Sequence, residues 1–63
     1  MVNEQLVQDA VNLFVETRSL ESMDAEHPMF EELYQKECQL YVLFGSMSDD
    51  DMNEYRTVVK YIK

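Results

Sequence analysis

Apolar residues recur along the chain at the three-and-four spacing of amphipathic helices, in three stretches separated by the single proline and the single glycine. In the first stretch Leu6, Val7, Ala10, Val11, Leu13, Phe14 and Leu20 share one half of a cylinder that turns 100° per residue. Gln5, Gln8, Asp9, Asn12, Glu16 and Ser19 take the other half. The pattern predicts a helix over residues 3–20, with Asn3 as its N-cap and Glu4 in its first turn. An apolar face this wide needs more than one neighbouring element. The periodicity then lapses over residues 21–27, which read as a connection.

A second helix is predicted over residues 28–44. Pro28 suits the first helical position, and Glu31 and Glu32 sit near the positive end of the dipole. Its apolar arc gathers Met29, Phe30, Leu33, Tyr34, Cys38, Leu40, Tyr41 and Phe44. Val42 and Leu43 fall outside that arc, so the last turn is apolar nearly all round. Gly45 is expected to close this helix in a left-handed conformation.

The third helix, predicted over residues 49–61, has the sharpest start signal. Ser48 is an N-cap followed by Asp49, Asp50 and Asp51, with Asp51 at the capping-box position and Met47 and Met52 at staple spacing. Met52, Tyr55, Val58, Val59 and Ile62 form its apolar stripe, while Lys60 and Lys63 lie at the negative end of the dipole. Together these elements predict an all-α fold. It is a single three-helix mini-domain spanning residues 1–63, a helical hairpin plus a short C-terminal helix. One glycine and one proline supply too little turn chemistry for an all-β alternative.

Size changes this picture, because a chain of 63 residues buries only about 60% of the surface that it exposes when unfolded. Domains of this size usually draw on disulfides, a metal or association. Cys38 is the only cysteine and His27 the only histidine, so neither an intrachain disulfide nor a four-ligand zinc site is expected, and no cofactor is expected either. Completion by self-association into a homo-oligomer is the expectation that remains. A lone unpaired cysteine suits a reducing cytoplasm.

Net charge is −8, and its distribution is uneven. Residues 1–54 contain all 13 acids against Arg18 and Lys36, whereas residues 55–63 hold Arg56, Lys60 and Lys63 and no acid. Such a surface repels phosphate backbones and anionic lipid, so direct nucleic-acid binding and membrane adsorption are not expected. No apolar run reaches the roughly 18 residues of a membrane span.

Motifs for chemistry are absent. Asp49, Asp51 and Asn53 begin like a calcium loop, but Glu54 stands where that loop needs glycine and Lys60 where it needs a bidentate glutamate. The N-terminal capping role accounts for the same acids. His27 and Cys38 lack a nucleophile turn, a second base and an oxyanion loop. The chain is therefore not expected to be an enzyme, and Cys38 is expected to pack in the core as a small hydrophobe.

Glu37 breaks the pattern, since helical spacing sets it among Phe30, Leu33, Tyr34, Tyr41 and Phe44, where a carboxylate must reach solvent, pair with Arg18 or Arg56, or set the register of an interface. Glu37, Leu40, Tyr41, Leu43 and Phe44 are accordingly the candidate partner or self interface. Glu31, Glu32, Asp49, Asp50 and Asp51 are the candidate acidic surface. The function expected from this combination is that of a small acidic regulator, adaptor or inhibitor that binds a protein partner through an apolar aromatic helical face. In a sharper variant the carboxylates mimic nucleic acid and the partner is a nucleic-acid-binding protein. The alternative is a self-assembling structural oligomer.

Overall fold

A computed structural model describes residues 1–62 as an all-helical chain, with no strand among the described residues. Helix α1 spans Glu4–Thr17 and is followed directly by a 3-10 turn over Arg18–Ser22. Helix α2 spans Phe30–Ser46 and α3 spans Asp49–Ile62.

Asn3 caps α1 as its sequence position predicts, its side-chain oxygen accepting the Leu6 N–H at 3.2 Å. The helix ends three residues earlier than expected, at Thr17. The buried Thr17 hydroxyl donates back to the Leu13 carbonyl at 2.7 Å, and the chain then tightens into the 3-10 turn. That tightening keeps Leu20 inside. A 3-10 turn eclipses residues three apart, so Leu20 stays on the azimuth of buried Thr17, whereas a continued α-helix would swing it roughly 60° away.

Two sequence expectations about α2 are corrected. Pro28 does not open the helix: it occupies a turn in which Phe30 N–H bonds to the His27 carbonyl at 3.0 Å and the His27 Nδ1 accepts the Met29 N–H at 3.1 Å, and α2 starts at Phe30. Gly45 is not a left-handed cap. Its φ is negative and it lies within the helix, which runs on to Ser46 and stops where Met47 turns extended (φ −85°, ψ 140°). The extended Met47 delivers the chain to Ser48, and the predicted capping box forms. Asp51 N–H donates to Ser48 Oγ at 3.2 Å, and Asp51 Oδ2 accepts the Ser48 N–H at 3.1 Å.

Helix α1 is the centre of the domain, packing against both α2 and α3, while α2 and α3 scarcely approach one another. The core is small: Val7, Ala10 and Val11 from α1, Leu40 from α2 and Tyr55 from α3, flanked by half-buried Leu13, Phe14, Leu43, Phe44, Val58 and Val59. No large side chain is fully buried. The Cα radius of gyration is 12.4 Å, against about 10.6 Å for a compact chain of this length, and the extents are 41 × 22 × 14 Å. Its wedge of three helices is thus open along the side where α2 and α3 diverge.

Candidate interaction surface

The open side of the wedge is an aromatic hollow. Phe14 from α1, Tyr41 and Phe44 from α2 and Tyr55 from α3 wall it, Leu40 and Thr17 lie beneath, and Arg18, Glu21 and Glu37 complete its lining. Its volume is about 460 Å³. The rings form a connected series with edge-to-face contacts. Tyr41 and Phe44 centroids are 5.8 Å apart, Phe44 and Tyr55 5.1 Å, and Tyr55 and Phe14 6.4 Å. Each geometry is one that ring quadrupoles favour. Phe44 and Tyr55 join α2 to α3 here, so the hollow is built on contacts that also hold the fold.

The structure brings Glu37, Leu40, Tyr41 and Phe44 together in this hollow and sends Leu43 elsewhere. Leu43 lines a second cleft, of about 510 Å³, on the other side of the α1–α2 seam with Asp9, Asn12, Leu13, Glu16, Gln39 and Val42. Tyr41 and Leu43 lie roughly 160° apart around α2, which is why an all-round apolar last turn serves two surfaces. Leu40 is only 6% exposed, so it belongs to the core and not to a contact surface.

Glu37 is half-buried, and its Oε1 accepts the Tyr41 hydroxyl at 2.9 Å. It shares the hollow with Arg18, but the ion pairs among the described residues are Met1 ammonium with Asp50 at 3.5 Å and Lys36 with Glu16 at 3.2 Å. Hydrogen bonding to Glu37, reinforced by the nearby negative charge, raises the Tyr41 hydroxyl above its usual pKa of 10.0. Burial, with a smaller contribution from Tyr41, raises Tyr55. The raised Tyr41 value means that this hydrogen bond supports the fold fully below pH 10.0 and loses its contribution as pH rises through the folded-state value. Alkaline spectrophotometric titration of Glu37→Gln should show one tyrosine ionising at lower pH than in the parent chain. Superimposable titrations would rule out the Glu37–Tyr41 coupling.

Glu31, Glu32, Asp49 and Asp50 are exposed, as an acidic surface requires. Asp51 is not part of that surface: it is 5% exposed, and its Oδ1 accepts the Asn3 N–H at 2.7 Å. A capping box satisfied by a second helix's N-terminal backbone takes this carboxylate out of solvent. Cys38, expected in the core, is exposed. Leucines 33 and 40 set the buried edge of α2, which turns residue 38 outward.

Sequence reasoning missed Phe14, Thr17, Glu21 and Tyr55 as parts of the hollow. Phe14 and Tyr55 were legible as stripe residues of their own helices, but nothing local says that the stripes meet along an edge that stays open. No group of His, Cys, Asp and Glu suited to holding a metal occurs among the described residues, and none of their helices is long and apolar enough to cross a membrane. Comparison with protein-family models, curated proteins and solved structures finds no match.

Proposed function

We propose that this chain is a small acidic protein-binding regulator, of the adaptor or inhibitor kind, that grips an apolar side chain from a partner's helix in the aromatic hollow. The hollow itself carries the reading. Four aromatic rings converge from three helices around a space large enough for an aromatic or branched aliphatic anchor, and that space stays open to solvent in so small a domain. Buried anchors in such pockets dominate binding energy, and surrounding charge mainly steers encounter and selects the partner. Exposed Glu31, Glu32, Asp49 and Asp50 supply that negative field.

The test is affinity capture followed by quantitative binding with two kinds of variant. Glu21→Trp plugs the hollow from an exposed rim position, and Tyr41→Ala removes one wall; each should weaken binding about 30-fold, the effect of losing a hot-spot contact. Glu31→Gln with Asp49→Asn should slow association and leave dissociation nearly unchanged. A partner released by moderate salt, displaced by DNA and indifferent to Glu21→Trp would replace this reading with nucleic-acid mimicry.

A further inference from the structure

Neither backbone conformation nor close packing within the monomer calls for glycine at position 45. Its backbone is helical, not left-handed, and a Cβ added to it meets nothing within 4 Å. Glycine is the poorest helix former after proline, so an exposed glycine in the last turn of α2 loosens that end of the helix with no return from the chain's own packing.

Its neighbours on the helix surface supply a reason. Tyr34, Cys38, Tyr41 and Gly45 follow one another at intervals of four, three and four, and at 100° per residue they fall within an arc of about 60°. All four are exposed, Tyr34 by 54% and Tyr41 by 59% even though it also lines the hollow. This is the spacing of knobs and holes in a helix–helix seam. It also reads the same in both directions along the helix. Run antiparallel against itself, the series places each large residue opposite a small one, Tyr34 opposite Gly45 and Tyr41 opposite Cys38. A parallel pairing would instead stack tyrosine on tyrosine and leave glycine facing glycine.

Charge and area favour the same occupant. Between residues 33 and 48 the only charged side chains are Lys36, already paired with Glu16, and Glu37, engaged by Tyr41. In a chain of net charge −8, the centre of this face is where two copies meet with the fewest carboxylates apposed, Glu31, Glu32, Asp49 and Asp50 lying at its two ends. The accessible surface is 4787 Å², against roughly 4,200 Å² for a compact monomer of this mass. The excess over two chains is roughly 1,000 Å², about the threshold for a specific interface.

We propose that two copies associate through α2 in an antiparallel, twofold-symmetric pair whose axis passes between Cys38 and Tyr41. Each Tyr34 seats over the partner's Gly45 and each Tyr41 against the partner's Cys38. Opposed helix dipoles assist this orientation. The pairing leaves the remaining walls of the hollow free and does not depend on what the hollow binds.

Sedimentation equilibrium of the full chain from about 1 to about 500 μM should show a monomer–dimer equilibrium in the micromolar range. Dimerisation should tighten as salt rises from ~0.05 to ~0.5 M, because screening relieves repulsion between acidic copies. Gly45→Gln, a better helix former, should weaken the dimer at least ~10-fold while the dilute monomer keeps its helical spectrum and resists urea as well or better. Mixed with the parent chain, the double variant Tyr41→Cys with Cys38→Ser should form an interchain disulfide on oxidation between its introduced thiol and the parent's Cys38, whereas Cys38 alone should cross-link poorly, being offset by three residues from its twin. A monomer at every concentration, a dimer indifferent to Gly45→Gln, or efficient Cys38–Cys38 cross-linking in the parent chain would overturn the proposal. Glu21→Trp should leave dimerisation unchanged, so failure of the seam and failure of the hollow are read separately.

Discussion

Leu40→Ala is expected to leave most of the population unfolded or close to it. Leu40 is the one buried residue of α2 and touches the core formed by Val7, Ala10, Val11 and Tyr55. Truncating a buried leucine costs about 2–5 kcal/mol through lost transfer energy and the cavity left behind. A chain of this length has a total stability of roughly 3–9 kcal/mol. No second layer of large buried side chains exists to collapse into the gap, so the upper part of the mutational range applies. Urea denaturation followed by circular dichroism measures the effect, with Leu43→Ala, half-buried on the neighbouring cleft, as the milder comparison. A loss under about 1 kcal/mol at Leu40 would mean that the three helices do not share this residue as their common contact.

The same residue shows where sequence reading stops. Periodicity identified all three helices, because apolar residues recur at helical spacing in each, with Glu37 the one break, and the Asn3 cap and the Ser48–Asp51 box were legible because capping depends on residues three apart. It did not separate Leu40 from Tyr41. Both lie on an apolar arc, and only the position of α1 and α3 decides that one faces the core while the other stays 59% exposed. Gly45 was misread for a related reason. A glycine near a helix end is usually a left-handed cap, but here the next helix begins at Asp49 and its box fixes the turn at Met47, leaving Gly45 as the last helical residue but one. Asp51 was legible as a cap and not as an anchor, since its second bond reaches Asn3, 48 residues away.

Asp51 should consequently be the most sensitive polar position in the chain, and its effect should depend on pH. The carboxylate accepts N–H bonds from Asn3 and Ser48, so it joins the start of α1 to the start of α3. These two backbone bonds, the Asn3 bond first, together with the Ser48 side chain and the N-terminal ammonium, outweigh burial and lower the Asp51 pKa from its usual 3.8. A carboxylate with a depressed folded-state pKa contributes stability that is present in full above the unfolded value and is lost as pH falls through the folded one. Asp51→Ala at neutral pH should therefore lower the thermal midpoint on the order of 10 °C in a domain of this size. Ser48→Ala, which removes one cap acceptor and leaves both carboxylate bonds, should cost about 1 kcal/mol. As pH is lowered from above 3.8, the gap between the parent chain and Asp51→Asn should narrow, because protonation removes from the parent the charge that asparagine already lacks. Taking this difference between variants cancels the opposing effect of the other carboxylates, whose protonation relieves the repulsion of a net −8 chain. Thermal melts at a series of pH values test it, and a gap that stayed constant through the acid range would show that Asp51 acts by shape alone and not by its charge.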